Sequence, residues 1–234
     1  VQTCALPIFP LTGQSFSDSE KEKFVSEWKS VLGVMNDAFS KFDIVEGGKL
    51  VHFYHVDNYE DAKGTLGNSC MSEASEDMLA IYSDNPQVCK LVIKYSDNGS
   101  IVDGKYKSSK IVARALLWTL TNGEKFLDRV YTIDASDEEL FKKYAETNGW
   151  WCKHSQNSSQ NFTAQKGAKY YSPIWVVQLK TSYSYEYPYL DTFCYLNDNT
   201  GKLSNSQSEI GANKLLNDTG GGYDELDPDE DEVY

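Results

Sequence analysis

The chain has few of the residues that mark common chemistries. It holds only three histidines, His52, His55 and His154. No G-x-x-x-x-G-K-[ST] motif occurs, and no G-x-G-x-x-G follows a strand pattern, so the usual phosphate-cradling loops are missing. Apart from Cys4, the cysteines stand far apart at Cys70, Cys89, Cys152 and Cys194, with no C-x-x-C pair. That spacing argues against a zinc ribbon, and no metal or cofactor is expected. No apolar stretch approaches the ~20 residues of a membrane span. Lys and Arg number 22 against 35 Asp and Glu, for a net charge of −13. A basic face able to neutralise phosphates is therefore lacking, which disfavours direct nucleic-acid binding.

Aromatic residues are abundant, at 13% with 16 Tyr and five Trp, so the chain has material for a substantial core. A chain of this size needs no staples, and free thiols in a reducing cytoplasm are expected. Asn98, Asn157, Asn161 and Asn217 each begin an N-x-S/T triplet, as chance provides in an Asn- and Ser-rich sequence. The two ends differ from the middle. "DELDPDEDE" (Asp224–Glu232) holds seven acids and no base. It reads as a solvated tail, with residues 220–234 disordered. At the other end, Val1–Ile8 resemble the translated end of a sequencing-library adapter, so residues 1–15 are expected to be an artefactual, disordered arm. Residues 16–219 then form one α+β domain.

Within that domain, "FSDSEKEKFVSEWKSVLGVMNDAFSKF" predicts a long helix. Ser17 and Glu20 form a capping box, and Phe24, Trp28 and Leu32 lie on a stripe expected to pack in the core. "GGKLVHFYHV" reads as a strand after a Gly47–Gly48 stop, and a short helix is expected near Ser75–Ser83. "VCKLVIKY", "KIVARALLWTL" and "EKFLDRVYTI" read as three successive strands, the first two joined by a loose loop. Asn122-Gly123 predicts a two-residue hairpin turn between the last two. "SDEELFKKYAETNGW" predicts a helix with Ser136 as N-cap. "PIWVVQLK" and "YPYLDTFCYL" are further strands. "FLDRVYT" and "YLDTFCY" also echo each other, both placing Leu-Asp after an aromatic. The sheet is expected to be mainly antiparallel.

A two-residue turn makes paired residue numbers in the hairpin sum to 245. One face then carries Ala113, Ala115, Leu117, Phe126, Asp128 and Val130, with Asp128 its single charge. The other carries Arg114, Trp118, Arg129 and Tyr131. A buried carboxylate must be paired or protonated, so Asp128 is either a structural anchor or a catalytic acid/base. Arg114 and Arg129 are candidates to grip an anion through forked N–H donors, with Trp118 or Tyr131 as a wall. Alternatively, both reach solvent or pair with local acids. A second candidate centre is Cys70, ahead of a helix, as a thiol nucleophile with His154 and Asp191 in a triad. The bland alternative is a small core residue.

The order helix, strand, short helix, hairpin strands and then strand-to-helix resembles the acetyltransferase-like (GNAT) fold over roughly Phe16–Leu196. In that family a Q/R-x-x-G-x-G/A loop cradles the pyrophosphate of coenzyme A. The equivalent "IDASDEE" (Ile133–Glu139) has no glycine and four acids, which would repel a pyrophosphate. The phrases "LGNSCM", "ARALLW", "LDRVYT" and "PYLDTF" with "TGKLSN" also resemble uncharacterised proteins of large tailed bacteriophages. The two resemblances imply a phage-type accessory protein of the host cytoplasm that binds a protein or a small anionic ligand. The alternatives are an atypical acyl- or group-transferase and a Cys70 thiol hydrolase.

Overall fold

A computed structural model describes residues 17–180 and 186–217. The adapter-like arm and the acidic tail lie outside the described residues. The chain divides into two units, Val1–Ser40 and Lys41–Tyr234.

In the first unit, helix α1 spans Asp18–Ser40. Its capping box forms as the sequence indicates: Ser17 Oγ accepts from Glu20 N at 3.3 Å, and the Glu20 carboxylate accepts from Ser17 N at 2.8 Å. The expected burial of Phe24 and Trp28 is corrected, for they are 57% and 55% exposed. The two rings stack on each other, 6.3 Å apart. The Leu32 side chain lies outside the described residues.

The second unit begins with strand β1 (Phe42–Val45), followed by the short helices α2 (Gly48–Tyr54), α3 (Gly64–Gly67) and α4 (Glu76–Ser83). The strand expected at "GGKLVHFYHV" is therefore corrected to a helix. Leu50, Phe53 and Tyr54 are its buried residues, at the i, i+3, i+4 spacing of a helical face. Strand β2 (Cys89–Tyr95), a small hairpin of β3 (Ser100–Val102) and β4 (Lys105–Lys107), β5 (Ile111–Thr119) and β6 (Lys125–Thr132) come next. After β6 come helix α5 (Ser136–Thr147) and strands β7 (Trp151–Lys153), β8 (Ala164–Lys166) and β9 (Lys169–Tyr171). Ser136 makes no side-chain cap; Asp134 Oδ1 accepts from Ser136 N at 2.9 Å instead. Strands β10 (Val176–Gln178), β11 (Tyr195–Asn197) and β12 (Lys202–Ser204), helix α6 (Gln207–Ile210) and β13 (Lys214–Leu215) complete the fold.

The architecture is α+β. A seven-stranded mixed sheet runs β1-β2-β5-β6-β7-β8-β9, antiparallel except for the β6–β7 pair. A second sheet runs β10-β12-β11-β13. Helix α5 covers one face of the large sheet, where Phe141 and Ala145 bury Val92, Ala113, Ala115, Leu117, Leu127 and Val130. The opposite face holds the larger, aromatic core around Trp118, Phe126 and Phe193. Leu91, Ile93, Trp175 and Val177 are buried, and Leu116 and Tyr144 partly so.

The hairpin register changes what faces what. Ala113, Arg114 and Ala115 pair with Thr132, Tyr131 and Val130, summing to 245 as expected. Nearer the turn, Leu117, Trp118 and Thr119 pair with Leu127, Phe126 and Lys125, one residue short of that sum. The turn holds three residues rather than two, closed by Leu120 N donating to Glu124 O at 2.9 Å. A bulge compensates by setting Asp128 and Arg129 together opposite Leu116. Phe126 and Asp128 therefore move to the face of Trp118, Arg129 and Tyr131. The expectation of Asp128 as the one charge among aliphatics is corrected: it joins the arginines.

Candidate functional site

Two segments fold over this polar face of β5–β6. The first is α3 with the loop after it. Gly64, at φ +61°, sits against the end of β6 so closely that a Cβ there would lie 2.3 Å from Thr132 O. Thr65 Oγ1 accepts from Thr132 N at 2.9 Å, fixing the same approach. The second is the extended stretch before β11, tied down by Leu190 N donating to Leu216 O at 2.8 Å. Its Thr192 Oγ1 donates to Asp128 Oδ1 at 2.5 Å. The two echoed Leu-Asp segments thus meet face to face.

Asp128 is 6% exposed. Its carboxylate also accepts from Trp118 Nε1 at 3.1 Å and from Arg129 N at 2.8 Å, with Lys153 Nζ 4.0 Å away. Burial raises its pKa, against the opposing pull of Lys153 and Thr192. Lys153 is itself fully buried, and burial lowers its pKa against the pull of Asp128. Its ammonium donates to Asn157 O at 2.8 Å and Ser159 O at 3.2 Å, closing off the following loop. With its oxygens engaged this way, Asp128 is an anchor.

Arg114 is 1% exposed. It donates from Nε to Tyr59 OH and from Nη2 to Ser69 Oγ, both at 3.2 Å, and lies 3.6 Å above the centre of the Tyr54 ring. Among the described residues no carboxylate pairs with it. The space beside it is about 20 Å³, room for a water molecule and nothing larger. Arg114 and the fully buried Trp118 are thereby corrected as ligand-contacting residues; they support the site from beneath.

Arg129 and Tyr131 do reach an opening. With Asn68, Cys70, Tyr189 and Asp191 they line an open cleft of about 450 Å³ at the C-terminal half of β6. Tyr131 donates its hydroxyl to Asp191 Oδ2, which also lies 3.5 Å from Arg129 Nη1. Burial and then the Asp191 carboxylate hold the Tyr131 pKa well up. Both guanidinium carbons approach the Tyr131 ring, Arg114 at 5.1 Å and Arg129 at 4.9 Å. Among the described residues two buried side-chain atoms lack a hydrogen-bond partner, Arg129 Nε and Asp191 Oδ1. An orphan of this kind costs about 1–3 kcal/mol, so both have unused capacity beside the cleft.

The Cys70 triad is not assembled. His154 hydrogen-bonds Gln165 Oε1 at 3.1 Å and lines a different cavity, while His55 pairs with Asp57. No histidine lines the cleft. Burial and then Asp191 push the Cys70 pKa up, the opposite of what a thiolate nucleophile needs. All four described cysteines are free. Among the described residues no His, Cys, Asp or Glu cluster fits a metal, and no helix is long and apolar enough to cross a membrane.

Sequence reasoning missed Lys153, Thr192, Tyr54, Tyr59 and Ser69. Lys153 was visible as a charge inside the run "WWCKH". The tyrosines and hydroxyls carried no comparable mark. No family model matches the chain, and neither a curated protein nor a solved structure matches it.

Proposed function

We propose that this chain works by binding a small anionic ligand in the cleft beside Arg129 and Tyr131. One observation carries the reading. Among the described residues, buried Arg114 and Lys153 and the partly buried Arg129 gather around two carboxylates, Asp128 and Asp191, which leaves one excess positive charge under the cleft floor. Low dielectric keeps that charge from being screened, and among the described residues Arg129 is the one cation on the cleft wall. An anion docking there would gain charge-assisted contacts from Arg129. A phage-type accessory role, suggested by the sequence phrases, belongs to the same reading: recognition without chemistry.

A group-transfer reading draws on the β6–α5–β7 unit, a parallel crossover with the cleft beside it. Strands β6 and β7 pair only at Phe126–Trp151 and Leu127–Cys152 and then separate. The separation is filled from within, however, as Val130 N donates to Gln156 Oε1 at 2.7 Å. The start of α5 is likewise taken up by Asp134 and by Asp137, which pairs with Lys94. A pyrophosphate would find no free donors there. These features favour binding over transfer.

Calorimetric titration with phosphate, phosphomonoesters, dicarboxylates and coenzyme A tests the reading. At least one of the first three should bind, and Arg129→Lys should weaken it about tenfold or more, since the fork is lost while the charge stays. Equal affinity in wild type and Arg129→Lys, or no anion bound, would remove the proposal. Tight binding of coenzyme A instead would restore group transfer.

A further inference from the structure

A second hollow on the second unit, about 680 Å³ and open to solvent, lies between the β7–β8 loop and the β12–α6 turn. Among the described residues no charged side chain lines it. Charged residues make up 24% of the chain, so a wall of this size drawn at random would lack them roughly one time in fifty. What it presents instead is neutral hydrogen-bonding chemistry. The side-chain amides of Asn157, Gln160, Asn161 and Gln207 border it, interleaved with serine and threonine hydroxyls. Among the described residues none of these four amides finds a side-chain hydrogen-bond partner. Phe162 forms an apolar part of the wall, and Ile174, 58% exposed, forms another.

A polar loop that merely floats in water would not hold such a surface in place. Here the backbone beneath the amides is fastened from the inside. The buried ammonium of Lys153 grips the carbonyls of Asn157 and Ser159. Across the hollow the buried Asn205 amide donates to Gln160 O at 3.1 Å and Pro173 O at 2.9 Å, while its oxygen accepts from Trp175 N at 2.8 Å. The two walls come from different sheets and are joined by that one side chain. Neutral amides carried on an anchored backbone beside small apolar platforms suit a ligand that is itself neutral, rich in vicinal hydroxyls and apolar on its ring faces.

We infer that this hollow is a binding site for a neutral saccharide. Each amide can donate N–H and accept O–H at once, which matches the paired hydroxyls of a sugar ring. The C–H faces of the ring suit Ile174 and Phe162. A charged sugar or a nucleotide would be desolvated here without a counter-charge, so the specificity is for uncharged ligands.

Saturation-transfer NMR and calorimetry on the full chain, with neutral oligosaccharides of the gluco, galacto, manno, xylo and N-acetylglucosamine series, test this. One series should bind at millimolar concentration or better, with the same Kd at low and high salt because no ion pair contributes. Gln160→Ala and Gln207→Ala should each weaken it by about 3- to 10-fold, the loss of one or two neutral hydrogen bonds. Retention on beads carrying the same sugar through its reducing end would mark a polymer- or protein-borne glycan as ligand. Binding of the free sugar alone would mark a soluble one. No transfer to any series, affinity that fades with salt, or equal affinity in both variants would overturn the assignment.

Discussion

The two faces of the β5–β6 hairpin are built from one pair of strands on opposite principles. Toward α5 the strands present Ala113, Ala115, Leu117, Leu127 and Val130, and the face is held by apolar burial alone. Toward the second sheet they present Arg114, Trp118, Asp128, Arg129 and Tyr131, and the face is held by charge and aromatic contact. The five hairpin side chains of the first face carry no ionisable group, so solvent pH does not act on them directly. The second is costly to bury and worth keeping only if its charges do something. Burying ions usually loses against an apolar alternative of the same shape, so a retained cluster points to use.

The largest expected break in this contrast is Lys153→Met. It leaves Asp128 buried without its cation and two loop carbonyls without a donor, and should cost about 3–5 kcal/mol in urea unfolding. Adding Asp128→Asn should return part of that loss, since the orphaned charge goes with it. A double variant no more stable than the single one would mean the pair is not coupled.

A smaller effect separates the faces by pH. Asp128 has its folded pKa raised, so the folded chain holds its proton to higher pH than the unfolded chain does. Its favourable contribution is full below the unfolded value of about 4 and is lost as pH rises through the folded one. Asp128→Asn should flatten that acid-side fall in stability, measured by urea midpoints across the acid range. Leu117→Ala on the α5 face, costing about 2–5 kcal/mol, should shift the whole curve down without changing its slope. The same slope in wild type and Asp128→Asn would contradict the assignment.

The smallest effect is at the cleft itself. Cys70 is exposed yet has a raised pKa, partly from Asp191, so it should react slowly with iodoacetamide near neutral pH. Asp191→Asn should speed alkylation a few-fold by removing the carboxylate that opposes the thiolate. An unchanged rate would place the Asp191 charge out of range of the sulfur.

Much of this was legible in the sequence. Long apolar runs identify β2, β5 and β6, and three-and-four spacing identifies α5. The α2 segment was misread because "LVHFYH" satisfies an alternating pattern as well as a helical one, and only tertiary burial of Leu50, Phe53 and Tyr54 decides. Strand β1 escaped notice because four residues wedged against a helix give no period to read. Among site residues, Arg129, Tyr131, Cys70 and Asp191 do meet in one cleft, although His154 does not join them. The bulge was the decisive feature not foreseen. Its one trace in the sequence is the adjacent pair Asp128-Arg129, two charges breaking the alternation of an otherwise apolar strand.

Gly64 has a consequence of a mechanical kind. Because its missing side chain lets α3 rest on the β6 backbone, the aperture of the cleft is set by a hydrogen atom on a residue of the cleft wall itself. Width is therefore adjustable from the backbone: one methyl group at position 64, strained by the positive φ, would act as a spacer, prising the lip away from the strand while leaving the Arg129 and Tyr131 side chains chemically unaltered.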